Sequence, residues 1–253
     1  MTTDLSRVAP SEPKEQAVVP SPQAGWTVRR AGVVAGAALL LIVAAAVPAY
    51  FVVIEGMITP GDAAATATEI TSNEGTFRLG VLAWMATAAL DVVVTCALYI
   101  VFRPVSTAVS LLAAAFRLVY TAVLVVAAGQ LLRALDLLSG DPYVSALTAD
   151  QAEAHALLEL NAFQHIYDIG LLLFGVHLAL LGYLSLRSGY IPRVVGALLV
   201  LAGVGYAVDT GVAVLELDLP FRVSMFTFLG EFLLALWLLV GGRRLRAVDT
   251  ARR

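Results

Sequence analysis

Charge is scarce in these 253 residues: 14% are charged, against roughly a quarter in an ordinary soluble domain. With 60% hydrophobic residues and a mean hydropathy of +0.86, the composition excludes a soluble globule of ordinary usage. Cysteine is represented by Cys96 alone, so no intrachain disulfide can form. Lying within an apolar block, Cys96 is expected as a small buried side chain. No GxGxxG, Walker A, HExxH, CxxC or nucleophile-elbow pattern occurs, which leaves nucleotide-loop, zincin and serine-hydrolase chemistry without a signature. No strong internal repeat is present. The opening residues also lack the short basic start and brief apolar core of a signal peptide.

What the chain has instead is apolar length. Residues 1–30, rich in Pro, Ser, Ala and charge, read as a disordered tail. Six apolar blocks follow at about 31–54, 79–102, 107–132, 159–185, 194–214 and 221–242, each near the ~20 residues a helix needs to cross a bilayer. The expected fold is all-α: a polytopic membrane protein with a six-transmembrane-helix bundle over 31–243, ending in a basic tail at 244–253. Arg29, Arg30, Arg103, Arg187, Arg193, Arg243, Arg244 and Arg246 fall on one set of connections. Glu55, Asp62, Glu69, Glu74, Asp136, Asp141, Asp150, Glu153, Glu159, Glu216 and Asp218 fall on the other, beside Arg78, Arg133 and Arg222. Retention of positive charge on the cytoplasmic side then places both termini in the cytoplasm, in a cell membrane.

Local signals refine the loops. Pro60-Gly61-Asp62 predicts a turn with Asp62 capping a short helix, and Thr148 with Gln151 has the form of a capping box. A helix running unbroken from Ala149 to Arg187 would span roughly 58 Å, so its first turns stand outside a ~30 Å hydrocarbon core or along its surface. Gly189 and Pro192 predict a tight turn between two helices. Gly196, Gly203, Gly205 and Ala207 predict close helix contact. Trp26, Tyr50, Phe51, Tyr183 and Tyr190 are expected as interfacial anchors.

The candidate functional residues are those whose presence in lipid is costly. Asp91, Arg117 and Glu231 count to mid-membrane, and His165, Asp168 and Asp209 to the outer half. Four acids thus share one fixed cation, Arg117, whose partner is expected to be Asp91 or Glu231. Desolvation raises the remaining carboxyls unless a cation compensates. Asn161, His165 and Asp168 form an i, i+4, i+7 stripe, whereas His177 falls about 180° round the helix from Asp168 and is expected to hydrogen-bond a neighbouring helix. Tyr120, Gln130, Tyr206 and Thr227 add polar groups on inward faces.

The stretches PGDAAATA (60–67), NEGTFRLG (73–80), LLAAAFRL (111–118), FGVHLALLGYL (174–184), SGYIPRVVGALLVLAGVGYAVD (188–209) and GEFLLALWLLV (230–240) resemble the bacterial membrane family called domain of unknown function 4386. The resemblance implies a six-helix membrane protein and supplies no activity. From the residues themselves the first expectation is a protein that binds or moves a small solute, proton or cation through a polar centre of Asp91, Arg117, Asn161, His165, Asp168, Asp209 and Glu231. An intramembrane hydrolase is the alternative, with a divalent metal on His165, Asp168 and Asp209 and with Glu231 or His177 assisting. A structural or regulatory subunit without chemistry is the third. The lipid bilayer and a small ligand or ion are the expected partners. The basic end is read as lipid-attracted, not as a nucleic-acid site. Heavy use of Ala, Val, Leu and Arg over Lys suits a bacterium of high GC content.

Overall fold

Each helix begins or ends where a side chain can take over the backbone's unmet hydrogen bonds. The computed structural model describes residues 26–140, 144–215, 217, 223, 229–241 and 244–245, and every regular element among them is helical. Thr27 caps α1 (Val28–Met57) by accepting from the Arg30 N–H at 3.2 Å, so the helix starts inside the stretch expected as tail. Pro48 lies within α1, and directly after it the backbone widens to i+5 bonding over Tyr50–Ile54. Such a turn is how a helix absorbs a missing N–H donor. Asp62 caps α2 (Ala63–Ser72), its Oδ1 accepting from Ala65 N at 2.9 Å.

The next helices outrun the apolar blocks that encode them. α3 (Glu74–Phe102) opens with a Glu74–Arg78 pair at 2.7 Å, one turn apart and outside the apolar run. Ser106 caps α4 (Thr107–Leu138), and the reciprocal Thr148–Gln151 capping box starts α5 (Ala149–Ser188). At 40 residues, α5 is about 60 Å long. Gly189, at φ 71°, stops it in a left-handed turn that a Cβ would strain, and Pro192 leads into α6 (Arg193–Val214). α7 (Leu229–Val240) is apolar and has 12 described residues. Five helices, α1 and α3 to α6, are long and apolar enough to cross a membrane. Of the expected sixth span at 221–242, residues 221–222, 224–228 and 242 lie outside the described residues. So do Asp141, Glu216, Asp218, Arg222, Thr227, Arg243, Arg246 and residues 1–25 and 246–253.

Six helices close into a ring. Going round it, α1 packs on α3, α3 on α4, α4 on α5, α5 on α6, α6 on α7, and α7 back on α1, while α2 lies against α5. Small residues bring several of these pairs to backbone contact. A Cβ on Gly175 would stand 2.7 Å from the Gly203 carbonyl oxygen, and one on Gly182 the same distance from that of Gly196. Gly36 likewise faces the Ala235 carbonyl across the α1–α7 seam, and Gly230 faces Leu198 across α7–α6. Gly196 and Gly203 therefore act as their sequence predicted.

The outside of the ring is apolar: Leu79, Leu82, Leu111, Val125, Val126, Val194 and Leu201 are all more than half exposed. For a soluble protein this would be an aggregation surface; for a membrane protein it is the lipid face. Two residues depart from expectation. Cys96 is exposed on this outer face of α3, because the positions turned inward there are Asp91, Val94, Thr95 and Leu98. Tyr190 is not an interfacial anchor: it is buried in the α5–α6 turn, its hydroxyl donating to the Val101 carbonyl at 2.6 Å. Trp26, Phe51 and Tyr183 are exposed near helix ends, as expected of anchors.

Candidate functional site

Asp91, Arg117 and Glu231, which the sequence places at one depth, line one cavity at the centre of the ring, with a volume of about 130 Å³. Every ring helix contributes to its wall: Leu39 and Val43 from α1, Trp84, Thr87 and Asp91 from α3, and Arg117 and Tyr120 from α4. Tyr167, Leu171 and Phe174 come from α5, Tyr206 from α6, and Glu231, Phe232 and Ala235 from α7. Asp91, Arg117, His177 and Tyr206 stand roughly ten to thirteen residues from the end of the helices where Arg103, Arg187 and Arg193 cluster, about 15–20 Å deep at 1.5 Å per residue.

Arg117 is the hub. Asp91 Oδ1 accepts from its Nε at 3.0 Å and also from its Nη2, so the carboxylate partner is Asp91 and not Glu231. Arg117 Nη1 meets His177 Nε2 at 3.2 Å, and His177 Nδ1 meets the Ala113 carbonyl at 2.8 Å. A carbonyl only accepts and a guanidinium only donates. Nδ1 therefore carries the hydrogen, Nε2 presents a lone pair, and His177 is neutral. The guanidinium also lies 5.2 Å from the centroid of the Phe174 ring. With Asp91 and Arg117 each 2% exposed and His177 1%, a charge that would be prohibitive alone is satisfied on three sides. His177 does bond a neighbouring helix, as expected, but it belongs to the site that the sequence argument kept it out of.

Glu231 is placed differently. It is half-buried, and among the described residues its hydrogen-bond partner is the Tyr206 hydroxyl, which donates to Oε1 over a long 3.4 Å. Aromatic rings interlock around this space: Tyr120 and Phe174 at 4.7 Å between centroids, Phe174 and Tyr206 edge-on at 5.6 Å, Trp84 and Tyr167 edge-on at 5.3 Å. Trp84 Nε1 and Thr87 Oγ1 are buried without a hydrogen-bond partner among the described residues, and both residues line the cavity.

The other expected residues are dispersed. Asp168 is buried, but its Oδ1 accepts from Gln164 Nε2 at 3.0 Å. Asn161 and His165, on the same stripe, are exposed. At this end of α5 the buried positions are Ala156, Leu160 and Phe163, and at ~100° per residue Asn161 and His165 fall on the other side of the helix. Asp209 Oδ1 accepts from Val223 N at 2.7 Å. His165, Asp168 and Asp209 thus do not converge. No group of three or more His, Cys, Asp and Glu among the described residues could hold a metal ion. Tyr120 and Tyr206 face inward as expected, while Gln130 bonds back to Val126 of its own helix and Thr227 is outside the described residues. Trp84, Thr87, Tyr167 and Phe174 had no signal beyond residue type in an apolar run.

A ring of apolar helices around an internal charged cavity defines the class: an all-helical protein of membrane-like architecture whose polar groups are concentrated at its axis. Residues 34–242 match the family described as Domain of unknown function (DUF4386), and the chain belongs to that family. The match takes in nearly all of the ring. The chain is also similar to an "Uncharacterized protein" of Archaeoglobus fulgidus, 37% identical over 164 residues that cover 63% of this chain and 81% of that protein. No solved structure matches the chain.

Proposed function

We propose that the protein is a six-span membrane protein with both termini cytoplasmic, and that its central cavity binds or passes a small solute, proton or cation. The bacterial cytoplasmic membrane is the setting this reading takes. The observation that carries it is Glu231. Asp91 answers the charge of Arg117, and Glu231 adds a second carboxylate to the same cavity from the opposite side of the ring. A carboxylate held in a low-dielectric cavity is an exchangeable site for a proton or a monocation, because either one removes its desolvation cost. Orientation is supported by the basic rim of Arg29, Arg30, Arg103, Arg187, Arg193 and Arg244 at one end of the bundle, against Glu55, Asp62, Glu69, Asp136, Asp150 and Glu153 at the other.

A second reading, a structural subunit without chemistry, is favoured by one observation: the Asp91–Arg117–His177 chain ties α3, α4 and α5 together. The two readings differ at Glu231, which lies outside that chain. Protein reconstituted into liposomes carrying a pH-sensitive dye, with an imposed gradient of sodium, potassium or protons, tests the difference. Dissipation lost in Glu231→Gln at unchanged thermal stability is the result expected. Equal fluxes in wild type and variant, indistinguishable from empty liposomes, would leave only the structural role.

A further inference from the structure

The size, charge and walls of the cavity restrict what it can hold. Its volume of about 130 Å³ is close to the roughly 150 Å³ of an engineered cavity that takes up benzene, so a molecule of a few heavy atoms fits. A metal ion stripped of water needs several oxygen ligands in compensation, and no group of acidic, histidine or cysteine side chains among the described residues provides them. An anion would enter beside two carboxylates, Asp91 and Glu231, with Arg117 already committed to the first. A small organic monocation meets none of these objections. Its carbon atoms need apolar or π surface, which Tyr120, Phe174 and Tyr206 supply braced against one another and Tyr167 supplies braced against Trp84. Phe174 already receives a cation on its ring, that of Arg117. The ammonium N–H groups need acceptors. Glu231 has carboxylate lone pairs beyond the single long bond from Tyr206, and Thr87 Oγ1, in a residue 3% exposed, has no partner among the described residues.

We propose that the central cavity is a site for a small alkylammonium ion, held by Glu231 and Thr87 Oγ1 through its N–H groups and by the surrounding aromatic rings through its carbons. The assignment rests on the reading of the cavity as a binding site and narrows it to one ligand class. Calorimetric titration of the full chain in mild detergent, with ethylammonium chloride and in parallel with sodium chloride and tetramethylammonium chloride, tests it. Ethylammonium binds saturably and sodium does not. Tetramethylammonium, which lacks N–H donors, binds more weakly than ethylammonium. Glu231→Gln abolishes the ethylammonium heat, and Thr87→Val, which keeps the side-chain shape, weakens binding roughly tenfold. Elution volume and far-UV circular dichroism check that each variant is folded; should Glu231→Gln not fold, Thr87→Val alone decides. Ethylammonium bound equally well by the folded variants overturns the assignment. Glu231-dependent binding of sodium or of protons without any ethylammonium heat overturns it too, while leaving the broader reading in place. No Glu231-dependent uptake of any cation or proton overturns both.

Discussion

Arg117 makes one contact that a lysine could not copy: its fork reaches Asp91 through Nε and Nη2 while Nη1 reaches His177. Removing the acid leaves that charge buried and unanswered. Asp91→Asn is expected to destabilise the fold by about 3–5 kcal/mol, whereas Asp91→Leu combined with Arg117→Met costs less than either single change. Unfolding followed by circular dichroism in detergent measures Asp91→Asn, the double variant and both of its single changes, and simple additivity would mean that the two residues do not act as a pair. The sequence narrowed the partner to Asp91 or Glu231, because all three residues count to the same depth, and the structure chose Asp91. His177 was not legible as part of this pairing. Its angle from Asp168 fixes a direction on α5, but nothing in the chain says that Ala113 and Arg117 of α4 occupy that direction. Trp84 and Phe174 were less visible still, since an aromatic among leucines looks like core.

Close helix contact on α5 is concentrated at glycine. Gly182 meets α6 so closely that a Cβ would lie 2.7 Å from the Gly196 carbonyl oxygen and 2.8 Å from Val200 N. Backbone atoms cannot step aside as a flexible side chain can. Gly182→Ala should therefore destabilise by about 1–3 kcal/mol. Gly211→Ala, on the same partner helix where a Cβ meets nothing within 4 Å, should be neutral or stabilising by up to about 1 kcal/mol. Thermal unfolding of the two variants side by side checks the contrast, and equal effects would refute the packing account. Helix type and order followed from hydropathy, and Gly196 and Gly203 were correctly read as contact residues. Helix length did not follow, for hydropathy marks where lipid would end. The helix itself continues until a cap or a left-handed glycine stops it, as at Thr148 and Gly189.

The bundle as a whole carries its two charge signs at opposite ends, so its orientation is open to chemical labelling. In a Cys96→Ser background, Ser139→Cys at the acidic end should react with a membrane-impermeant maleimide in intact cells, and Thr107→Cys at the basic end only after permeabilisation. Both positions are exposed. The opposite pattern would reverse the assigned topology. That the ring closes at all was beyond the sequence: the α1–α7 seam joins segments far apart in the chain through Gly32 and Gly36, which contact Leu238, Ala235, Leu239 and Leu245.

This closure also has a temporal side. α7 is the last of the ring helices to be synthesised and the one that seals the gap between α6 and α1. At 5–20 residues per second it follows α1 by roughly 10–40 s. Through that interval Arg117 already has Asp91, delivered one helix earlier, but the space that will become the cavity stands open to whatever the insertion machinery or the bilayer places there. Glu231 arrives with the closing helix, so the cavity gains its second carboxylate only when the rest of its wall is already complete.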